Sequence, residues 1–174
     1  MLCQRTTDVI TYAFRYYDFN LANYLDDLIG IERTEQKAIM ADNYLGETLD
    51  DLGLAHKETK HCRPAQQQVC LGILFNTINM SKSIPAGKLQ EIAMELQKWT
   101  HKKRATKREL QSLAGRLLFI AKCSRPARLF INSILADLRS APEVGTVKLS
   151  NTTLSDIYWF LELFPTYNGT SLLI

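Results

Sequence analysis

Asp26 and Asp27 stand side by side in Tyr24-Leu25-Asp26-Asp27, between two short apolar stretches, residues 20–25 and 28–31. The flanks read as strands, and the two carboxylates fall where a tight hairpin turn would go. Like charges so close repel, and either water at an exposed turn or a divalent cation relieves the repulsion. Magnesium fits the second solution. It takes hard oxygen ligands and is often held by one or two carboxylates plus substrate phosphates. Two such ions a few ångströms apart activate a hydroxyl and stabilise a leaving pyrophosphate. The pair alone does not choose between the two, because most Asp-Asp pairs are solvated turns and the chain holds another at Asp50-Asp51.

A second chemistry-bearing feature is charge. The 174-residue chain has a net charge of only +3. Residues 1–60 carry six Lys/Arg and eleven Asp/Glu, a net of −5, whereas residues 82–128 carry twelve Lys/Arg and three Glu, a net of +9. An acidic part that attracts cations and a basic part that attracts polyanions are what a nucleic-acid enzyme needs; an unevenly solvated surface is the bland alternative. Lys107, Arg108, Arg116, Lys122, Arg125 and Arg128 are the candidate phosphate contacts, which bind without reading sequence. Gly115 falls mid-helix, where glycine costs about 1 kcal/mol against alanine. A duplex approaching the backbone or a close helix–helix crossing would each account for it.

The elements that must position these residues follow from periodicity. Thr7 or Asp8 is expected to cap a first helix with Val9, Ile10, Ala13, Phe14 and Tyr17 behind it. After the Asp26-Asp27 hairpin, Thr34 caps a second helix with Ala38, Leu45, Leu49 and Leu52 on one face, ended by Gly53. Residues 68–74 and 78–84 read as a second hairpin joined around Asn76-Thr77. Pro85 starts a third helix with Leu89, Ile92, Ala93, Leu96 and Trp99 inward. A basic linker, residues 101–104, precedes a capping box at Thr106–Glu109 and a helix with Leu110, Leu113, Ala114, Leu117 and Leu118 on one stripe. Arg125-Pro126 breaks it, and a further helix groups Phe130, Ile131, Ile134, Leu135 and Leu138. Residues 141–149 are a loop, and Ser150 or Asn151 starts a last helix that Pro165 stops. The tail ends on an apolar, strand-like run, Ser171-Leu172-Leu173-Ile174.

The cysteines (Cys3, Cys62, Cys70, Cys123) show no CxxC or zinc-type spacing and are expected reduced, in an intracellular setting, cytoplasmic or nuclear. No run of about 18 apolar residues exists to span a membrane. His56, His61 and His101 lack ligand-like spacing and are read as surface residues. Trp99, Trp159 and Tyr16-Tyr17 are read as core or rim packing rather than base-stacking platforms.

Tyr-x-Asp-Asp between apolar strands, with a helix before it and after it, resembles the palm of reverse transcriptases. Val69-Cys70-Leu71-Gly72 is similar to the core of the primer-grip hairpin, and residues 106–115 resemble the thumb helix of retroelement enzymes. Cys3-Gln4-Arg5 and the stretch from Leu149-Ser150 through Trp159, Leu163, Asn168 and Gly169 are similar to retrotransposons carrying a tyrosine recombinase, the DIRS-like group. The resemblance implies that Asp26 is a principal ligand of catalytic Mg2+ (or Mn2+) and Asp27 a supporting carboxylate. It implies that Tyr24 lies under the primer terminus and dNTP, and that Leu71 and Gly72 shape the grip on the primer. Lys57 or Lys60 is a candidate acid for pyrophosphate. The resemblance assigns the partners as an RNA or DNA template with primer and dNTP, without a membrane.

A reverse transcriptase palm also needs a third carboxylate on a strand upstream, and neither Asp8 nor Asp18 matches that motif. The sequence therefore reads as a middle fragment of a retroelement polyprotein, inactive in polymerisation alone. The expected fold is α+β: a partial palm over 1–61, a primer-grip-like hairpin over 62–84, a helical thumb over 85–141 and a connection over 142–174, toward a ribonuclease H region. The rival readings are a non-catalytic nucleic-acid-binding module that uses the basic helices, and a helical interaction protein in which Asp26-Asp27 is a solvated turn.

Overall fold

The computed structural model describes residues 2–54 and 57–172, the side chains of 2–4, 58 and 171 excepted. The expectations for His56, for Leu173-Ile174 and for the Cys3-Gln4 side chains therefore lie outside the described residues. The chain is a mixture of helix and strand, and it divides into two compact units, residues 1–65 and 66–174.

The first unit runs α1 (Leu2–Tyr16), β1 (Leu21–Tyr24), β2 (Asp27–Gly30) and α2 (Glu35–Asp51), then a short 3₁₀ turn. Neither Thr7 nor Asp8 caps α1: the helix has already begun by Leu2, and Thr7 is buried inside it. Thr7, Ile10, Thr11 and Phe14 recur at helical spacing and form the inner stripe. The two threonines are tolerated there because the Thr11 hydroxyl donates to the Thr7 carbonyl at 2.8 Å. The core is small, Ile10, Phe14 and Leu21, with Phe19, Leu28, Tyr44, Leu45, Leu49 and Leu54 packed around it.

Tyr44 carries α2 onto α1, its ring 4.9 Å from Phe14 and 5.4 Å from Tyr17. Burial raises the Tyr44 hydroxyl above its ordinary pKa. Thr34 caps α2 as expected, accepting from the Lys37 amide at 3.2 Å. Gly53 closes the helix at φ +64°, with Gly53 N donating to Asp50 O at 2.9 Å and Leu54 N to Leu49 O at 2.8 Å. Leu52 does not join Leu45 and Leu49; it occupies the C-cap, where the helical period has ended, and is exposed.

The second unit runs β3 (Gln67–Cys70), β4 (Ile73–Asn76), β5 (Ser81–Ser83), α3 (Ala86–Thr100), β6 (Arg104–Ala105), α4 (Lys107–Ile120), α5 (Asn132–Ser140), β7 (Val147–Lys148), α6 (Asn151–Glu162) and β8 (Thr170–Ser171). A 3₁₀ stretch, Pro126–Ile131, leads into α5, and another, Phe164–Tyr167, follows α6. The sheet order is β3-β4-β5-β8, every neighbour antiparallel. The second hairpin turns at Leu71-Gly72, not around Asn76-Thr77. Asn76 instead ends β4, its side-chain oxygen accepting from the amides of Ile78 (2.9 Å) and Asn79 (3.0 Å) to start a separate turn. Part of the basic linker also departs from expectation: Arg104-Ala105 pairs with Val147-Lys148 of the 141–149 loop.

One core unites the sheet side and the helices: Ile92, Leu96 and Trp99 of α3, Leu110, Leu113, Ala114, Leu117 and Ile120 of α4, Ile134 of α5, and Ile157 and Phe160 of α6. Leu118, expected on the inner stripe of α4, points outward and is 47% exposed. The tail is tied in by Asn168, which accepts from the Ile84 amide and donates to the Ile84 carbonyl, both at 2.9 Å. Among the described residues no helix is long and apolar enough to cross a membrane.

The capping box that starts α4 is formed in full. Glu109 accepts from the Thr106 amide at 2.8 Å and from Lys102 Nζ at 2.5 Å. The Lys102 ammonium, and after it the Thr106 amide, hold the Glu109 carboxyl down from its ordinary 4.5 to about 2. A carboxylate whose folded pKa is lowered adds stability above its unfolded value and loses it as pH falls toward the folded one. Urea midpoints measured across that range should therefore drop between 4.5 and about 2 in wild type. The drop should be shallower in Glu109→Gln, which should also be less stable at neutral pH.

Candidate functional site

The β1–β2 register pairs Tyr24 with Asp27, so the two-residue loop is Leu25-Asp26 and Asp27 is the first residue of β2. The two aspartates thus do not share the turn, as the sequence suggested. Leu25 sits at φ +54° and Asp26 does not enter that region, the pattern of a type II′ turn, which prefers glycine at its first position. The register explains why leucine is forced there. Leu21, Asn23 and Leu28 must face α1, and a slip of one residue would turn all of them outward.

Side chains of α1 brace this strained turn. The Thr7 hydroxyl lies 3.5 Å from the Leu25 carbonyl and accepts from Asn23 Nδ2 at 3.0 Å, and Asn23 also donates to Asp8 at 2.7 Å. At the base of the hairpin, Glu32 accepts from the Asn20 amide at 2.6 Å, and Lys37 reaches Asp18 at 2.8 Å. That Lys37 hydrogen bond lowers the Asp18 pKa and raises that of Lys37. The result is a fixed loop that presents Tyr24, Asp26 and Asp27 at an exposed tip. Neither Thr7 nor Asn23 stood out in the sequence as a supporting residue; their only signal was polarity on an otherwise apolar face.

Among the described residues no group of three or more His, Cys, Asp or Glu side chains comes together to hold a metal ion. Asp26 and Asp27 are the carboxylates that would hold magnesium together with substrate phosphates. Lys57 and Lys60 are exposed, and His61 is engaged with Asp42 at 2.8 Å.

The second unit gathers the remaining candidates. Leu71 and Gly72 both have positive φ, +52° and +76°, the pattern of a type I′ turn between Cys70 and Ile73. A Cβ on Gly72 would meet Phe119 Cζ at 3.3 Å, so the hairpin tip rests directly on α4. Arg108, Ser112, Gly115 and Phe119 recur along α4 at offsets that place them on one outer stripe, and Lys122 follows in the 3₁₀ turn after the helix. Gly115 has nothing within 4 Å of where its Cβ would be, which excludes a close helix crossing within the chain as the reason for a glycine there. It lines an open groove with Lys88, Glu91 and Glu95 of α3 and Ser112, Arg116 and Phe119 of α4, where Lys88 pairs with Glu91.

The basic residues differ in their readiness to bind. Arg116 is held by Glu95 and Lys107 by Glu143. Lys122 lies over the Phe119 ring at 5.5 Å, and Arg108, Lys122 and Arg125 make no ion pair among the described residues. Trp99 is buried as expected, and Tyr16 and Tyr17 are 82% and 57% exposed, with the Tyr17 ring packed edge-on against Tyr44 at the rim.

No protein-family model matches the chain, and no curated protein matches it.

The two glycines predict opposite outcomes. Gly72→Ala should lose about 1–2 kcal/mol, because its backbone is left-handed and Phe119 blocks the new methyl. Gly115→Ala should gain about 0.5–1 kcal/mol, because a helical backbone receives a methyl that meets open space. Urea denaturation of the two variants against wild type measures both.

Proposed function

We propose that the chain is part of a reverse transcriptase: an RNA-directed DNA polymerase by descent, with Tyr24-Leu25-Asp26-Asp27 as its palm motif, residues 67–76 as its primer-grip hairpin and α4 as its thumb helix. The observation that carries the reading is the tip itself. An exposed Asp26-Asp27 pair spans the end of the Leu25-Asp26 turn and the start of β2, with Leu25 held at positive φ and the turn braced by Thr7, Asp8 and Asn23. Strain of about 1–3 kcal/mol persists where its surroundings over-determine it, and such sites cluster at function. The open, basic stripe on α4 supports the same reading, since polymerases grip duplexes through phosphates regardless of sequence.

In this reading the tip contributes carboxylates and a primer-facing tyrosine, while the third carboxylate comes from elsewhere. The chain alone therefore binds but does not polymerise, since positioning and charge neutralisation constitute the catalysis. A non-catalytic nucleic-acid-binding module that uses the basic residues of the second unit is the second reading, favoured by the exposed Arg108, Lys122 and Arg125.

Binding of a labelled primer–template duplex across a salt series tests both readings. Log affinity should fall linearly with log salt at about −0.9 per phosphate engaged, and Arg108→Ala should reduce the slope by about one phosphate. A salt-independent affinity, or none, would leave only the helical interaction protein. Primer extension with Mg2+ or Mn2+ should give no product. A template-dependent product that disappears in Asp26→Asn would overturn the incompleteness of the site.

A further inference from the structure

A second surface of residues 66–174 has chemistry of its own. Phe130, at the end of the 3₁₀ stretch before α5, stacks on Trp159 of α6 with ring centroids 4.0 Å apart and planes 8° apart. Trp159 in turn lies nearly parallel to Tyr167, at 6.1 Å and 19°. Phe160 and Phe164 meet Trp159 edge-on from the core side. The array thus runs outward from a rigid base to Tyr167, which is 51% exposed. Tyr167 adjoins the 122–128 segment through the backbone, because Gly169 N donates to Cys123 O at 3.0 Å.

That segment is basic and uncompensated. The sequence holds no Asp or Glu between Glu109 and Asp137. Arg125 and Arg128 are exposed and make no ion pair among the described residues. Leu129 between them and Phe130 is 70% exposed. Of the two carboxylates on α6, Asp156 accepts from the Ser133 hydroxyl, and Glu162 is exposed and makes no ion pair with either arginine among the described residues. An exposed aromatic ring on a rigid stack, beside arginines with no partner, fits one kind of ligand: an unpaired nucleobase on its phosphate backbone. Paired bases cannot use the ring, because their faces are already covered by neighbouring base pairs.

We propose that Tyr167, backed by Trp159 and Phe130 and with Arg125 and Arg128 on the adjoining segment, is a stacking site for single-stranded nucleic acid. Its ring lies on elements other than α4, while Arg125 is a candidate phosphate contact for both surfaces. The proposal rests on the nucleic-acid part of the reading above and not on its polymerase part. DNA and RNA share the chemistry, and the two are arms of the test.

The experiment measures the affinity of the full chain for an unstructured pyrimidine strand of about 12 nucleotides, within the usual site sizes, as DNA and as RNA. A central 2-aminopurine reports stacking by its fluorescence, and a blunt duplex is measured alongside. Wild type should bind the single strand with a change in 2-aminopurine emission. Tyr167→Leu should lose about tenfold in single-strand affinity and lose the emission change. Its salt slope and duplex affinity should stay as in wild type, because stacking releases no counterions. Tyr167→Phe should behave as wild type. Arg128→Ala should keep the emission change and lower the single-strand slope by about 0.7.

Single-strand affinity and emission unchanged in Tyr167→Leu would overturn the site while leaving the duplex reading intact, as would duplex binding by wild type with no single-strand binding. Binding of neither would overturn both. Should Tyr167→Leu fail to fold, an unchanged slope in Arg128→Ala would by itself overturn the proposal.

Discussion

A two-residue turn between antiparallel strands can close only if its backbone enters the left-handed region, and both candidate surfaces depend on that constraint. In the first unit Leu25 meets it at φ +54° without the help of glycine. The cost is carried by the register, because Leu21 and Leu28 stay in the small core only if the loop falls at Leu25-Asp26. In the second unit Leu71 and Gly72 meet it together at +52° and +76°. There the turn has a neighbour, the Phe119 ring, and the hairpin tip lies against α4. The placement of Asp26, Asp27 and the α4 groove follows from these two turns.

The second dependence is the division of α4 between two faces. Five buried apolar residues fix one side in a core shared with three other helices. Burying a large aliphatic side chain stabilises by about 1.5–3 kcal/mol, so the helix can afford an outer stripe that contributes nothing to folding. Gly115 is the extreme case: a costly residue in a helix interior with open space beside it. The ion pairs of Arg116 with Glu95 and of Lys107 with Glu143 set aside two of the six predicted contacts, leaving Arg108, Lys122, Arg125 and Arg128 available.

Where a local rule decided the structure, the sequence was legible. Thr34 and Thr106 cap their helices, Glu109 completes its box, Gly53 closes α2 and Ser150 opens α6, because each depends on atoms a few residues apart. Long-range compensation hid the rest. A leucine in a left-handed turn contradicts propensity, so both hairpin tips were misplaced by residue type alone. Strands of two residues, β6 and β7, have no period to read. Thr7 looked like a cap because the groups its hydroxyl meets, the Leu25 carbonyl and the Asn23 side-chain amide, lie on the hairpin, far off in sequence. The Phe130–Trp159–Tyr167 array joins separate elements, and nothing local announced it. Gly115 carried two readings in the sequence, and only the space beside it removed one.

The central claim is that a nucleic-acid duplex comes close to the backbone of α4, as a polymerase thumb helix would require. The most direct measurement is the duplex affinity of Gly115→Ala at fixed salt, made on protein whose stability is measured in the same preparation. The account predicts a variant at least as stable as wild type that binds the primer–template duplex several-fold more weakly, because the new methyl occupies the space the ligand uses. A variant that binds the duplex as tightly as wild type would contradict it.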